Sequence, residues 1–326
     1  MDARLTDEQR LLQQVAGEIA ADASAGWTAL AGAGFVGLHV QAGPGGAVAA
    51  ALVAERFAAA LTPMPYVGAG VWTPALLAAA GAGEAQAAVE EGRLRFAPVL
   101  RPDLSAPARD GEEGVAFDAE GADAGLVIAS DGRLRAVALG EPARGADLTR
   151  TLRRVPADAP EQRFPLGRPL TARDRIRTEA VVLAVLAADL LGTAQRALDD
   201  AVAHIRERRQ FGVPVGSFQA VQHLASHAAV LVEGARSAMR HAAWAATELP
   251  EDEALLAARQ AKAACSTAAR DVAETAVQLF GGIALTWEHP THLRLRRILL
   301  SRAVLGDESA QYRAIADRRL APAGGD

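Results

Sequence analysis

The segment Arg206–Gln222 reads Arg-Glu-Arg-Arg-Gln-Phe-Gly-Val-Pro-Val-Gly-Ser-Phe-Gln-Ala-Val-Gln and follows a long stretch rich in alanine, leucine and valine. The upstream stretch predicts a long helix, and Gly212 followed by Pro214 predicts the end of that helix. Arginines near a helix C-terminus are favourable as a solvated helix end. A guanidinium also has the planar geometry that binds a phosphate through two hydrogen bonds. The segment therefore predicts a helix end and a candidate phosphate-binding site.

A second segment, Gln278–His289, reads Gln-Leu-Phe-Gly-Gly-Ile-Ala-Leu-Thr-Trp-Glu-His and contains the pair Gly281-Gly282. A glycine pair can simply end a helix, but it also lets the backbone approach a ligand closely because no Cβ intervenes. Gln278 stands about one helical turn before the pair and could reach the same ligand. The segment predicts either an ordinary helix stop or the wall of a binding site.

The order of elements along the chain predicts an α+β fold with three domains. Residues 1–92 form an N-terminal helical domain, which begins with a capping box of Thr6 and Gln9. Residues 93–168 carry short alternating segments divided by turn residues, which predicts a small antiparallel β domain. Residues 169–326 predict a C-terminal four-helix bundle, with helices at 174–209, 218–247, 251–279 and 292–321.

Composition and charge exclude several classes of function. The formal net charge of -5 argues against a nucleic-acid-binding protein. The single cysteine, Cys265, excludes an intrachain disulfide and suits a reduced cytoplasm. No signal peptide is visible, and the most apolar window, 180–191, is too short to span a bilayer. Asp189 within that window is expected to be a satisfied polar group at a helix interface. The histidines have no carboxylate neighbours at metal-site spacing, so no metal site is expected.

The two segments and the domain order together resemble the acyl-CoA dehydrogenase family of flavoproteins. In that family the Arg-x-x-Phe-Gly and Gln-x-x-Gly-Gly segments bind FAD across a subunit interface. The resemblance implies α,β-dehydrogenation of an acyl-CoA thioester, with electrons passed to electron-transfer flavoprotein. It also implies a set of contacts with the adenosine-pyrophosphate end of FAD: Arg208, Gln210, Phe211, Gln219, Gln278, Gly281 and Gly282.

The catalytic base of the family has no direct counterpart in this sequence. In many members the base is the glutamate of a Tyr-Glu-Gly-Thr segment, and the resemblance places Gly306 at that position. Other members carry the base on the first bundle helix, at the position of Val182 here. Glu179 lies about one turn before Val182 on a similar helix face and is the surviving candidate. Salt bridging of Glu179 with Arg175 or Arg177 is the structural alternative.

The predicted β domain also lacks segments that cover the flavin ring and the thioester in the family. This pattern resembles the smaller companion subunits of heteromeric bacterial acyl-CoA dehydrogenases, including those acting on steroid side chains. In those complexes a homologous partner completes the site, which predicts a heterotetramer. One alternative is a self-sufficient homo-oligomeric dehydrogenase that uses Glu179 as its base. Another is a non-catalytic assembly or regulatory protein that kept the fold.

Overall fold

A computed structural model describes residues 4–22, 24–43 and 45–320 of the chain. Its first helix, α1 (Asp7–Ala21), begins with the predicted capping box. Thr6 Oγ1 accepts from the Gln9 amide at 3.2 Å, and Gln9 Oε1 accepts from the Thr6 amide at 3.0 Å. A π-helical turn, Tyr66–Trp72, later runs directly into α5. The helices after α1 are α2 (Trp27–Gly32), α3 (Leu38–Gln41), α4 (Gly46–Ala59), α5 (Thr73–Ala80) and α6 (Gly83–Glu90).

The middle of the chain forms a seven-stranded sheet with the order β5-β6-β2-β1-β3-β4-β7. The strands are β1 (Phe96–Leu100), β2 (Gly114–Ala116), β3 (Ala124–Ile128), β4 (Leu134–Val137), β5 (Pro142–Ala143), β6 (Leu152–Val155) and β7 (Glu161–Gln162). The prediction of an antiparallel sheet is wrong at one place, because β1 and β3 pair in parallel. The chain reverses between β1 and β2 and again before β3, so β3 runs along the other side of β1 in the same direction. The sheet is therefore mixed.

The last part of the chain is helical, as predicted, but its final helix is broken. Its elements are α7 (Ala172–Glu207), β8 (Arg209–Gln210), β9 (Val213–Pro214), α8 (Gln219–Glu248), α9 (Glu251–Phe280), α10 (Thr291–Ala303) and α11 (Glu308–Leu320). The prediction of one helix over 292–321 is wrong, since 304–307 separate α10 from α11, and 321 lies outside the described residues. Leu305 and Gly306 have φ values of 59° and 90°, which a right-handed helix does not accommodate.

Helix α7 lies at the centre of the molecule, packed against α4, α8 and α9. Gly192 permits the close approach of α4, because an added Cβ would lie 2.0 Å from the Glu55 carbonyl oxygen. Contrary to the sequence-based expectation, α7 is long and apolar enough to cross a membrane by length and composition alone. However, 89% of its most apolar window is buried inside the protein. Its hydrophobicity is therefore accounted for by the core.

A buried ionic cluster joins α7 to the other parts of the chain. Asp189, 1% exposed, accepts hydrogen bonds at 2.7 Å each from Arg150, Arg297 and Ser301. Arg150 also bonds to Asp118, whose other carboxylate oxygen accepts from a backbone amide of the π-helical turn at 2.8 Å. Burial alone would raise the pKa of Asp189, but the guanidiniums of Arg150 and Arg297 outweigh burial and lower it. The prediction that Asp189 is a satisfied interface group is confirmed.

One apolar core is continuous through the three predicted domains. Its buried members include Phe57 of α4, Phe96 of β1 and Leu186 of α7. Because side chains from all three predicted domains pack into the same core, the core of the described structure does not divide at the predicted domain boundaries. The boundaries at 92 and 168 accordingly stay predictions.

Candidate functional site

The end of α7 carries a tight hairpin that projects an aromatic side chain. Arg208 caps α7 in an extended conformation, and its amide donates to the His204 carbonyl at 2.9 Å. Strands β8 and β9 then pair, with Phe211 and Gly212 between them. These two residues have φ values of 51° and 84°, as a two-residue hairpin turn requires. The Phe211 side chain is 92% exposed and is therefore available to a ligand or to another chain.

The polar side chains predicted to contact FAD have no partner among the described residues. Arg208, Gln210, Gln219 and Gln278 are all exposed, and their side chains make no hydrogen bond or ion pair there. A guanidinium binds phosphate oxygens through charge-assisted hydrogen bonds, and an amide side chain can both donate to and accept from a base edge. These side chains therefore retain the capacity that a dinucleotide ligand would use.

Aromatic contacts bring the second segment to the same end of the bundle. The ring centroids of His204 on α7 and Phe280 at the end of α9 are 4.9 Å apart, and those of Phe280 and His289 are 4.4 Å apart. Buried apolar residues of α7 and α9 also form a small cluster there, and partly buried residues of α8 pack against it. At Gly281 and Gly282 an added Cβ would meet no atom within 4 Å. The backbone of the glycine pair is therefore open to a ligand.

Large apolar side chains are exposed in both segments. Leu285 is 76% exposed and Trp287 is 70% exposed, in addition to the exposed ring of Phe211. The Trp287 ring stacks on His292, with centroids 5.0 Å apart, which leaves its other face uncovered by that contact. Grouped exposed apolar side chains mark an interaction surface. This end of the bundle therefore has the composition of a surface that a ligand or a second chain covers.

The arrangement fits the adenosine-pyrophosphate half of FAD. A pyrophosphate requires a cation, which the unpaired Arg208 can supply. A planar ring system packs well on an aromatic side chain, and Phe211 offers one. The open backbone of Gly281 and Gly282 leaves space beside them. The structure thus brings the two predicted segments to one end of the bundle, while the contact assigned to each residue stays a prediction.

A cavity of about 360 Å³ lies where the N-terminal helices, the sheet and the bundle meet. Its volume is in the usual range for small-molecule sites. The wall is apolar at the π-helical turn and α5, and polar where α7, α9 and α11 contribute. The side chains that line it include Trp72, Leu76, Glu179, Arg259, Leu305 and Gln311.

The candidate base Glu179 lines this cavity, but it is held in an ion pair. Its Oε1 accepts from Arg259 Nη2 at 2.6 Å, and Arg259 Nη1 donates to Gln311 Oε1 at 3.4 Å. The expected pairing with Arg175 or Arg177 is wrong, because the partner comes from α9, which packs along α7. Partial burial raises the pKa of Glu179, and the charge of Arg259 opposes that rise. Of the described residues that line the cavity, Glu179 carries the one carboxylate.

The usual base position, Gly306, has no room for a side chain. An added Cβ would lie 2.8 Å from Ala310 Cβ, and the φ of 90° disfavours any other residue. The two neighbouring acids are engaged elsewhere: Glu308 pairs with Arg302 at 2.5 Å, and Asp307 Oδ1 accepts from the Ala310 amide at 2.9 Å. Neither acid is among the cavity-lining residues. The described loop therefore offers no carboxylate in place of the family's base.

Sequence reasoning missed Arg259 and Gln311 as parts of this site. Arg259 lies 80 positions after Glu179, so local spacing could not connect them. One signal was present, since the small residues Ala254, Ala258 and Ala261 mark the buried face of α9, and Arg259 borders that face. A charged residue beside a buried stripe is a candidate for an interhelical pair.

Metal binding finds no support in the part of the chain that the structure describes. Within 4–22, 24–43 and 45–320, no three or more histidine, cysteine or acidic side chains are grouped so that they could hold a metal ion.

Comparisons with known proteins agree on one family. Residues 183–320 match the family model described as acyl-CoA dehydrogenase, C-terminal domain. The chain is 36% identical over 261 residues to the acyl-CoA dehydrogenase IpdE2 of Mycobacterium tuberculosis, covering 78% of this chain and 73% of that protein. A glutaryl-coenzyme A dehydrogenase in complex with glutaryl-CoA has a TM-score of 0.80 at 20% identity, over 98% of this chain and 97% of the other. The ChsE4-ChsE5 complex from Mycobacterium tuberculosis has a TM-score of 0.75 at 22% identity, over 100% of both chains.

The structural similarities and the sequence similarity support different conclusions. The two structural similarities are below 25% identity and bear on the fold alone. The likeness to IpdE2 is higher and extends over most of both sequences. The helical, sheet and bundle parts described above match the fold of the structural neighbours over almost their whole length. This chain therefore belongs to the acyl-CoA dehydrogenase family of flavoproteins.

Proposed function

We propose that the chain is a subunit of an FAD-dependent acyl-CoA dehydrogenase and that it contributes part of an inter-subunit FAD site. The observation that carries the proposal is the exposed, unpaired group formed by Arg208, Phe211 and the glycine pair at one end of the bundle. When a ligand and a second chain cover such groups, the aromatic ring is removed from water and the cation gains charge-assisted hydrogen bonds. Family membership makes FAD the ligand.

Bound FAD would supply the hydride acceptor for α,β-dehydrogenation of an acyl-CoA thioester. The residues of this chain hold the opposite end of the cofactor. Arg208 binds the pyrophosphate through a charge-assisted contact, and Phe211 packs against the cofactor. Gln210 or Gln219 bonds to a phosphate or an adenine edge, and Gln278 reaches the adenine or ribose. The glycine pair lets the backbone come close to the ligand.

A homologous partner subunit completes the site, in a heterotetramer. Gly306 leaves the usual position without a base and accepts no side chain there. Burial raises the pKa of Glu179, but the carboxylate is held in an ion pair with Arg259, whose charge opposes that rise. The ChsE4-ChsE5 complex, which has the same fold, supports an assembly of two different chains. The cavity beside Glu179 takes the acyl group in this proposal.

Electron-transfer flavoprotein would be the electron acceptor of the enzyme, in the cytoplasm. The one cysteine, Cys265, is a free and buried thiol, which agrees with a reducing compartment. The acyl group itself is not specified by this cavity, because its apolar wall would suit many hydrocarbon skeletons.

One specific observation favours a second candidate, a self-sufficient homo-oligomeric dehydrogenase. Glu179 is the carboxylate in the acyl cavity, and partial burial raises its pKa. To act as base it would have to leave Arg259 and turn towards the thioester. A non-catalytic assembly protein is the remaining alternative, and it requires that the chain binds no flavin.

The first arm of the test measures flavin affinity. Arg208→Ala should weaken FAD binding by about 10- to 100-fold, because a hydrogen bond to a charged group contributes about 1.5–3 kcal/mol. Arg173→Ala is the matched control, since Arg173 is 78% exposed at the opposite end of the same helix. Equal flavin affinity in both variants would count decisively against the assignment of Arg208.

The second arm measures turnover of an acyl-CoA with an artificial electron acceptor. The chain alone should turn over little or no substrate, and co-expression with a homologous partner should restore the rate. Robust turnover by the chain alone would refute the need for a partner. A colourless protein that binds no added FAD, alone or with a partner, would favour the assembly role instead.

A further inference from the structure

Lys262 is the only lysine of the chain, and it is fully buried at 0% exposure. Its Nζ donates to the Arg302 carbonyl at 2.9 Å, to the Gly306 carbonyl at 3.2 Å and to the Ser266 hydroxyl at 3.4 Å. It forms no ion pair with a carboxylate of the described residues. Carbonyl and hydroxyl oxygens, rather than an anion, therefore stabilise this buried ammonium.

Of these three oxygens, the Gly306 carbonyl belongs to the link between α10 and α11, residues 304–307, and the Arg302 carbonyl lies in the last turn of α10, directly before the link. Leu305 and Gly306 both have positive φ, which for leucine is a strained conformation that its surroundings must hold. Gln311 Nε2 donates to the Leu305 carbonyl at 2.6 Å, and the Leu305 amide donates to the Leu104 carbonyl at 2.8 Å. Leu305 and Gln311 both line the 360 Å³ cavity. The contacts that hold the link therefore also fix one wall of the cavity.

We propose that Lys262 is a positioning residue: its ammonium fastens the 304–307 link, and with it the Leu305 wall of the acyl cavity, and loss of its proton releases the link. The part that concerns the acyl group rests on the proposed function above. The part that concerns the link rests on the burial, the hydrogen bonds and the charge of Lys262, and is independent of that function.

The number of donors explains why the proton matters. An ammonium has three N–H donors and no acceptor, and Lys262 directs three hydrogen bonds to oxygens. A neutral amine has two donors and a lone pair, so it can keep the two carbonyls only through uncharged hydrogen bonds, and it keeps Ser266 only if that hydroxyl turns to donate to the lone pair. The positive charge also stabilises the last carbonyls of α10, where the helix dipole is negative. Both effects disappear when the proton leaves.

The carboxylates nearest to the Lys262 ammonium are engaged by other groups and do not pair with it. Glu308 is engaged by Arg302 at 2.5 Å and by Arg270 at 3.2 Å. Asp307 Oδ1 accepts from a backbone amide within its own turn at 2.9 Å. With these acids committed elsewhere, burial lowers the pKa of Lys262 to about 7; the charge of Arg302 adds to this lowering, and the attractions of Glu308 and Asp307 only partly offset it.

The groups on the other packed elements are also fixed. Burial raises the pKa of Cys265 to about 12, so its side chain stays a neutral thiol. On the α8 and α4 side, Arg236 and Glu55 face Cys265 and pair with each other at 2.6 Å. Across the physiological pH range the group of this cluster that changes charge is therefore Lys262.

The test uses the full chain with its lysine labelled with ¹³C at Cε, which gives one signal to assign. The signal should titrate near pH 7. Over pH 6 to 8.5, hydrogen exchange of amides in 303–311, corrected for its intrinsic pH dependence, should accelerate about ten-fold, since the hydrogen bonds to the Arg302 and Gly306 carbonyls lose their charge assistance. A lysine signal that titrates above about pH 9, or exchange that does not follow it, would overturn the proposal.

Two variants separate positioning from general stability. Lys262→Met keeps the length of the side chain without donors, and its 303–311 exchange should be fast and free of the step near pH 7. Ser266→Ala keeps the ammonium and both carbonyl contacts, so the step should remain. If Lys262→Met fails to fold, the wild-type titration and Ser266→Ala still decide, because a flat wild-type profile overturns the proposal.

A third readout addresses the cavity. In the assembled enzyme, KM for an acyl-CoA should rise above pH 7 in step with the lysine titration, while flavin content stays constant. If the exchange step occurs but no acyl-CoA binds at any pH, the positioning of the link is supported, and the acyl-site assignment, hence the proposed function of the cavity, is wrong. If acyl-CoA binds with a KM that ignores the lysine titration, the role of Lys262 in the cavity is overturned while the proposed function stands.

Discussion

Asp189→Ala would leave the guanidiniums of Arg150 and Arg297 buried without their shared carboxylate. The side chains of these arginines are only 2% and 3% exposed, so water cannot replace the lost partner. Removing one partner of a buried ion pair costs about 3–5 kcal/mol, because the remaining charge is left uncompensated. Arg150 keeps Asp118 and Asp147 nearby, whereas Asp189 is the carboxylate that Arg297 contacts. We therefore expect the free energy of unfolding to fall by about 3–5 kcal/mol.

Urea unfolding followed by circular dichroism measures this change, with the slope of the transition compared between variants. The control is Asp252→Ala, which removes a surface pair in which Asp252 is 61% exposed and lies 3.3 Å from Arg318. That variant should stay within about 0.5 kcal/mol of wild type. A loss below about 1 kcal/mol in Asp189→Ala would refute the reasoning, since it would mean that the cluster is not the junction described above.

The pH dependence of stability tests the role of Asp189 independently. The pKa of Asp189 is lower in the folded chain than its ordinary value. Its stabilisation is therefore complete above the ordinary pKa of about 3.9 and is lost as pH falls through the lower folded-state pKa. Asp189→Asn should lack this acid-sensitive component. An acid-unfolding profile of Asp189→Asn that loses stability as steeply as wild type would contradict the assignment.

Three further predictions concern the cavity and the thiol. Glu179→Gln should leave the rate of the assembled enzyme within about two-fold, whereas a loss of about 100-fold or more with flavin still bound would make Glu179 the base. Gly306→Glu should lower the free energy of unfolding by about 1–3 kcal/mol, because its Cβ meets Ala310 at 2.8 Å, and it should create no activity; a stable and active variant would show that the loop can carry the base. Cys265, with its pKa raised to about 12 by burial, should resist iodoacetamide at neutral pH until the chain is unfolded; rapid alkylation of the native protein would show that α9 opens.

Local chemistry is what made much of the fold predictable. The capping box at Thr6 and Gln9 is a signal carried by adjacent residues, and the structure has it. Gly212 correctly signalled a turn close to the end of α7, but the helix ends earlier, at Glu207, and Gly212 lies in the β8–β9 hairpin. The parallel pairing of β1 with β3 was missed because strand neighbours depend on contacts across the sheet, which alternation along one strand does not encode. The break at 304–307 had one visible signal, Gly306, but a strained Leu305 beside it is imposed by the surrounding contacts.

The candidate site was predictable to different degrees for the same reason. Arg208 and Phe211 are close in sequence, so one segment showed a guanidinium beside an aromatic ring. The state of Glu179 depends on Arg259, which reaches it from another helix, and no local spacing reports that pair. The buried position of Lys262 was equally hidden, because a lysine in an alanine-rich helix is usually solvent-exposed. Tertiary contacts, rather than residue type, decide the roles of Glu179, Arg259 and Lys262.

The proposed FAD site lies between subunits, and this chain holds one end of the cofactor there. Native mass spectrometry of the protein, alone and co-expressed with a homologous partner, measures flavin and chain stoichiometry in each oligomer. We expect FAD in dimers or tetramers and none in monomers, with the flavin lost when this chain carries Arg208→Ala. FAD bound tightly to the monomer, or retained at full stoichiometry in oligomers of the Arg208→Ala chain, would contradict it.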